Sequence, residues 1–540
     1  MLDRSDGISL RSGFLRHLQL RPEAAALVVR GETRSYRELE SKARQLATAI
    51  TQACGGDRPE RVGIFAYRSE TAYTGTLAAL FAGGTFVPLN PTFPTQKTAA
   101  MIERAELDAM IVDSACLVQV PNVLGGIVAV PLILPEAEAD TVPHSRAIGR
   151  SEIATLASLK VLPALTAEDI AFLLFTSGST GVPKGVPVTH GNAVHFMDVM
   201  SHRYGISPDD RFSQTFDQTF DLSVFDLFMA WSNGACVCSM SPVELLAPTK
   251  FINHHRITVW FSVPSVPALM SRRKVLLPNT MPMLRWSLFC GEPLLQSSAE
   301  AWQKAAPNST VENLYGPTEL TIACLAHRWN PATSPELCVN GIVPIGRPCD
   351  GLAVVVVDDD LKPVGEGETG ELCVSGPQTT SGYWRAPETT AQRYLEIPVG
   401  RLETRRFYRT GDVVARHPSG DYVFLGRADQ QIKIFGHRIE LGEIEEVLRR
   451  YPGVEEAVAF GLPTGSATAE SVVAFVLGNI SDADALINFS RLSLPRYAVP
   501  RRIFALEELP LNVNGKVDRR ALQERLAEFT PSAGQWVKRV

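Results

Sequence analysis

The stretch Phe172–Asn192 reads FLLFTSGSTGVPKGVPVTHGN. Ile170 to Phe175 is short, apolar and partly aromatic, which suits a strand buried on both faces. Thr189 or His190 then opens a segment with apolar residues at helical spacing. Between them lies Thr176-Ser177-Gly178-Ser179-Thr180-Gly181, with Lys184 at the far edge. Glycines permit close backbone approach, and hydroxyls with free N–H groups make a concave donor surface for anions. The lysine adds a point charge suited to phosphate. The loop therefore reads as a polyphosphate cradle between a strand and a helix. It is not the Gly-x4-Gly-Lys-Ser/Thr loop, because Pro183 precedes Lys184 and Gly185 follows it.

Working outward, strand-like and helix-like segments alternate through the first two thirds. RVGIFAY, FVPLNP, ELDAMIVDS and ITVWFSVP read as strands, and ETAYTGTLAALFAGG as a helix ended by glycines. This predicts an α/β fold with largely parallel sheets. The last third changes character. GETGELCVSG, RFYRTGDVVARHPSGDYVFLGR and QQIKIFG are closely spaced strands with Gly-Asp and Ser-Gly turns, and read as antiparallel. A helix (LGEIEEVLRRY), two strands and a final helix (RRALQERLAEF) follow. The expected organisation is a large N-terminal domain, 1–428, of α/β subdomains with a β-rich closing part. A small, mobile α+β domain, 429–540, comes after it.

A length of 540 residues exceeds what one core supports. Net charge is −6, and the longest interior basic run is Arg272-Arg273-Lys274, so neither nucleic acid nor an acidic membrane is indicated as a partner. The nine cysteines are scattered and show no zinc-site spacing, which fits reduced thiols in a cytoplasmic protein. The N-terminus lacks an apolar signal core. No apolar run reaches membrane-spanning length, the nearest being VLGGIVAVPLIL with Pro131 inside it.

Nine motifs stand in order: RSYRELESKA (34–43), FAGGTFVPLNP, LFTSGSTGVPKGV, NLYGPTE, GELCVSG, YRTGDVV, GRADQQIKIFGHRIELGEIE, LPRYAVP and LPLNVNGKVDRRAL (509–522). Together they resemble the ANL superfamily of adenylate-forming enzymes, and within it the amino-acid adenylation domains of nonribosomal peptide synthetases. The resemblance implies two half-reactions. A carboxylate attacks the α-phosphate of ATP to give an acyl-adenylate, and a thiol then attacks that adenylate. It implies that Thr176, Ser177, Gly178, Ser179, Thr180, Gly181 and Lys184 hold the β- and γ-phosphates. Glu319 would be the Mg2+ ligand, a hard donor for a hard cation, and Thr318 would contact the α-phosphate. Tyr315, with Asn313 and Gly316 beside it, would stack on adenine, and Gly291, Glu292 and Pro293 would line the other side. Asp412 would accept the ribose hydroxyls, with Arg427 at ribose or phosphate. Lys516 would stabilise charge developing between the substrate carboxylate and the α-phosphate. Asp429 would be the hinge of the small domain, which would then present Lys433, Gly436, His437 and Arg438 to a thiol tunnel. His437 could act there as a base or only line the tunnel.

Asp221, in TFDLSVFDLF, matches the aspartate that amino-acid activators use for the α-ammonium; the plain alternative is a helix N-cap. By the same matching Leu222, Phe225, Phe261, Leu288, Cys290, Leu314, Ile322 and Ala323 line the side-chain pocket. That set carries no second charge, so the expected substrate is a small or medium neutral, aliphatic amino acid. One departure is TQKTAAMI after NPTFP, where the family usually has a Glu-Arg pair before the next helix. FTPSAGQWVKRV after Lys516 holds no phosphopantetheine attachment site. A free-standing ligase loading a separate phosphopantetheinylated carrier protein is therefore expected, with the need for a small activator protein left open. The alternative is an acyl- or aryl-CoA ligase using the same adenylate chemistry.

Overall fold

Strands made of uninterrupted Val, Ile, Leu and Phe can be covered only by helices on both sides. The computed structural model of the protein describes residues 8–125, 130–144, 146–178, 183–398, 404–464, 468–478, 480, 482–506, 508–510, 517–527, 529–532 and 535–538. It falls into two units. One holds Met1–Pro91, Thr98–Thr176 and Lys184–Ala428; the other holds Asp429–Val540 together with Thr92–Lys97 and Ser177–Pro183.

The first unit contains three sheets. The seven-stranded sheet runs in the order Ala147–Ile148, Leu132–Ile133, Ala109–Val112, Arg61–Phe65, Thr85–Leu89, Ile170–Thr176, Lys184–Thr189. Its neighbours pair parallel except the last two, which form an antiparallel pair with Thr176 opposite Lys184. The residues after Lys184 thus form an edge strand rather than leading straight to the helix. Pro187 lies within it opposite Leu173, a position an edge strand tolerates. The helix His190–Tyr204 follows, and Thr189 caps it in a capping box with Asn192.

The nine-stranded sheet is parallel across Ala25–Val29, Cys236–Ser239, Arg211–Gln214, Val259–Ser262, Trp286–Phe289 and Thr310–Tyr315, with antiparallel additions at both ends. Two helices that are apolar on every side, Glu70–Phe81 and Leu222–Ser232, are buried along almost their whole length, as such helices must be. Tyr73 on the first of them hydrogen-bonds Ser239 of this sheet at 2.6 Å.

The third sheet is antiparallel and includes Ala353–Val357, Thr369–Ser375, Tyr394–Pro398, Thr404–Arg416 and Tyr422–Arg427. It is pinned to the second sheet by His327, whose Nδ1 lies 2.9 Å from Asp421 Oδ1 and whose Nε2 lies 2.9 Å from Ser334 Oγ. All three side chains are buried, so the trio is a structural pin that aligns the strand ending in Arg427.

In the second unit a hairpin pairs Gln431–Ile434 with His437–Glu440. Its central residues Phe435 and Gly436 have φ of +50° and +80°, the signature of a two-residue turn matched to strand twist. Val454–Leu462, Ser471–Gly478 and Pro500–Leu506 form a three-stranded sheet, with helices Leu441–Arg449, Ala483–Ser490 and Arg519–Ala527. A terminal pair, Phe529–Ser532 with Gln535–Lys538, extends past the last helix that the sequence predicts. Among the described residues no helix is long and apolar enough to cross a membrane. None of the nine cysteines is in a disulfide among the described residues.

Candidate active site

In an open parallel sheet the carboxyl ends of the strands leave a crevice where ligands bind. Two groups of the expected site residues of the first unit lie at such ends. Gly291, Glu292 and Pro293 follow Trp286–Phe289, and Gly316 to Glu319 follow Thr310–Tyr315. Thr176 and Lys184 end and begin the antiparallel pair at the edge of the other sheet.

Asp221 precedes the helix Leu222–Ser232, but its side chain makes no cap bond, and its backbone is already helical at φ −64°, ψ −21°. The capping alternative therefore fails. Asp221 Oδ2 instead accepts the backbone N–H of Ile322, at 3.1 Å and 101 residues away in sequence. Burial pushes its carboxyl up to about 6, against the lowering effect of the Ile322 N–H and of a hydrogen bond from Thr318. A buried carboxylate held this way, with apolar neighbours, is poised to pair with a cation. Leu222, Phe225, Phe261, Leu288, Cys290, Leu314, Ile322 and Ala323 are all buried. Phe261 and Leu288 are cross-strand partners. Phe225 packs edge-on against Phe261 at 5.0 Å, and so does Phe216, which has no place in the set expected from sequence.

Glu319 lies on the single turn Thr318–Leu320 and is 1 % exposed. Tyr383 Oη donates to its Oε1 at 2.6 Å. The Lys184 ammonium sits 5.8 Å from the centre of the Tyr383 ring, which brings the cation expected at phosphate and the expected metal ligand to one tyrosine. Tyr383 belongs to SGYW, just past the GELCVSG motif. An aromatic at a chain reversal carries no signal by itself, so only the fold reveals its part.

Asp412 and Arg427 are cross-strand partners, and Arg427 Nη1 donates to Asp412 Oδ1 at 2.6 Å. Tyr315 Oη donates to Asp412 Oδ2 at 2.5 Å. Burial and the adjacent Asp412 carboxylate push the Tyr315 phenol well above its ordinary range, so it stays a donor. Gly316 allows close packing, since a Cβ there would stand 2.6 Å from the Ala323 Cα. Asn313 points elsewhere, its Nδ2 donating to the Pro344 carbonyl at 2.9 Å. Glu292 Oε2 accepts the N–H of Ser265 at 2.9 Å, at the start of helix Ser265–Arg272, and Gly291 takes φ +95°.

Within the second unit Ser177 Oγ donates to the Arg438 carbonyl at 2.6 Å, and Lys433 pairs with Arg438 across the hairpin. Asp429 Oδ1 accepts the N–H of Gln431 at 3.2 Å. His437 stacks on Tyr497 with ring centres 3.6 Å apart. Burial, then the nearby Lys97, lowers the His437 imidazole to about 3, which makes it a poor base at neutral pH. Lys97, in the departing stretch TQKTAAMI, ion-pairs with Glu443 at 3.0 Å. Ser179, Thr180, Gly181 and Lys516 lie outside the described residues.

A buried carboxylate past a parallel-strand end at Glu319, a second on the antiparallel sheet at Asp412, and a small α+β unit after them make the arrangement of the adenylate-forming class. The chain belongs to the AMP-binding enzyme family, which matches residues 14–384, with the AMP-binding enzyme C-terminal domain at 443–516. It is 34% identical to an L-proline–[L-prolyl-carrier protein] ligase of Pseudomonas fluorescens, over 96% of this chain and 99% of that one. It is also 32% identical to a linear gramicidin synthase polypeptide of Brevibacillus parabrevis, over 96% of this chain, and spans only 10% of that much longer protein. Among solved structures it is similar to the Vibrio cholerae adenylation domain AlmE in complex with glycyl-adenosine-5'-phosphate. There the TM-score is 0.83 and the identity 31%, covering 96% of this chain and 97% of that one.

Proposed function

We propose that the protein uses ATP to activate a small or medium neutral amino acid as its aminoacyl-adenylate and passes it to the phosphopantetheine thiol of a separate carrier protein. The observation that carries this reading is Asp221, a buried carboxylate with no cap role, at the head of an otherwise apolar residue set. The likeness to a carrier-protein ligase over nearly the full length of both chains supports it.

The α-ammonium of the substrate pairs with Asp221, which fixes the amino acid with its carboxylate free to react. That carboxylate oxygen attacks the α-phosphorus of ATP. The bond to the bridging oxygen breaks, and pyrophosphate leaves. Tyr315, Asp412 and Arg427 bind the nucleoside, Asp412 taking the ribose hydroxyls. Lys184 and the loop from Thr176 neutralise the departing phosphates, because phosphoryl transfer depends mainly on positioning and charge stabilisation. Lys516 supplies the donor between the two reacting groups, and the division at Asp429 is the pivot between half-reactions. In the second step a thiolate sulfur attacks the acyl carbon, and AMP leaves.

Magnesium fits this site. Glu319 is a buried hard oxygen donor held by Tyr383. Such an ion takes one or two carboxylates and otherwise phosphate and water. When bound, the ion would neutralise phosphate charge, with Glu319 as its protein ligand.

ATP–pyrophosphate exchange across proteinogenic and non-proteinogenic amino acids, alongside benzoates and fatty acids, tests the reading. Exchange with a neutral amino acid, then mass-shifted holo-carrier protein, is expected. Exchange only with aryl or fatty acids would instead make the chain a CoA-type ligase.

A further inference from the structure

The turn that holds Asp221 is strained. Thr321 has φ +56° and Ile322 has φ +74°. For a β-branched residue such backbone is a genuine outlier, and it persists only where the surroundings over-determine it. Gln378, which is completely buried, supplies those surroundings. Its Nε2 donates towards the carbonyls of Ala323 at 2.7 Å, Leu320 at 3.2 Å and Thr321 at 3.3 Å. Its own backbone carbonyl accepts the Thr321 hydroxyl at 2.6 Å. Three acceptors around one nitrogen fix which end of the amide faces the turn. Two residues on, the Thr380 N–H donates to the Glu319 carbonyl at 3.0 Å, so the same segment also steadies the residue before Leu320.

We infer that Gln378 is a positioning residue for recognition of the substrate α-ammonium: it locks the strained turn whose Ile322 N–H holds Asp221 Oδ2, and so fixes the direction of that carboxylate. The chemistry explains the residue type. Three carbonyls converge on one donor, of which that of Thr321 also accepts the Ala323 N–H at 2.9 Å. A lysine or arginine would also donate there but would place a cation beside a site that must attract one, whereas a carboxamide donates without charge.

The inference rests on the amino-acid reading above, and the test separates the two. Wild type, Gln378→Met and Thr321→Val are compared in pyrophosphate exchange. The probes are the amino acid giving the fastest wild-type exchange and the same acid lacking its amino group. Gln378→Met keeps the volume and removes the donor; Thr321→Val keeps the shape and removes one tether. The expected result for Gln378→Met is an amino-acid KM raised about tenfold or more, an ATP KM within about twofold of wild type, and weaker discrimination against the desamino acid. Thr321→Val should shift the same quantities in the same direction by less. A purely structural role would lower kcat with both KM values unchanged, and that outcome overturns the inference. So does loss of folding in both variants, since the tether would then serve stability alone. Absence of amino-acid exchange in wild type would sink the functional reading instead.

Discussion

Asp221 carries its charge at a cost. Its carboxyl stands at about 6 when folded, against 3.8 for the free group, because burial disfavours the ionised form. The sign is opposite to that of a salt-bridged carboxylate: the ligand-free fold loses stability as pH rises from about 4 to 6, by roughly 3 kcal/mol in all. Asp221→Asn should therefore raise the melting temperature of the ligand-free protein at pH 7.5 and leave it unchanged near pH 4, as calorimetry would show. The same change should cut kcat/KM for the amino acid by ~100-fold or more, because an uncompensated ammonium remains. In wild type, kcat/KM for the amino acid should fall about tenfold per pH unit below about 6, and the Asn variant should lose that limb. A flat profile would mean that Asp221 does not meet the ammonium. Tyr383 offers a separate test. Tyr383→Phe keeps the ring beneath Lys184 but removes the donor to Glu319. Hydrogen bonds to charged groups are worth about 1.5–3 kcal/mol, so the KM for magnesium-ATP should rise about tenfold or more with the amino-acid KM unchanged. Calorimetric titration with a non-hydrolysable ATP analogue and magnesium should show the same weakening without turnover.

The single elements are largely legible in the sequence, and their long-range partners are not. Ile170–Thr176, Glu70–Phe81 and His190–Tyr204 follow directly from apolar runs, a glycine stop and a Thr cap. The strand Lys184–Thr189 does not, because Pro187 argues against a strand until its place at a sheet edge is known. Asp221 resembles a cap because its local sequence is that of a cap, and the bond that decides its role comes from Ile322. Gln378 and Tyr383 are silent for the same reason, since each acts on a turn some 60 residues upstream that no local pattern connects to it. The roles expected for the phosphate-loop glycines, the TGD aspartate and the YGPTE glutamate come from motifs standing in a fixed order, and they stay proposals under the reading above. At this scale Gly316 is a test of how tightly strand and turn are joined. Gly316→Ala would press a methyl against the Ala323 backbone, where overpacking costs about 1–3 kcal/mol. The melting temperature should fall, and both substrate KM values should rise together, in contrast to the selective effects above.

At the scale of the whole chain, the division at Asp429 separates two sets of residues with different duties under the proposed reading. Lys516→Ala should slow adenylate formation by ~100–1,000-fold, the usual loss for one donor at a developing charge. It should leave transfer from synthetic aminoacyl-adenylate to a carrier thiol nearly intact. Lys433→Ala should do the reverse and slow thioester formation more than adenylation. Single-turnover mass spectrometry of both steps decides this, and equal losses in both would refute the division of labour. The clamp at Gln378 has a consequence for anyone recombining such enzymes. The carboxylate proposed to bind the ammonium lies on one side of a long span of chain, at 221, its hydrogen-bond donor at 322, and the proposed lock on that donor at 378. A chimera whose crossover falls between 222 and 377 inherits at least one of these from the wrong parent. Breakpoints outside that span would exchange recognition as one inherited block, and breakpoints inside it would yield hybrids that fold and hold ATP but greet every amino acid poorly.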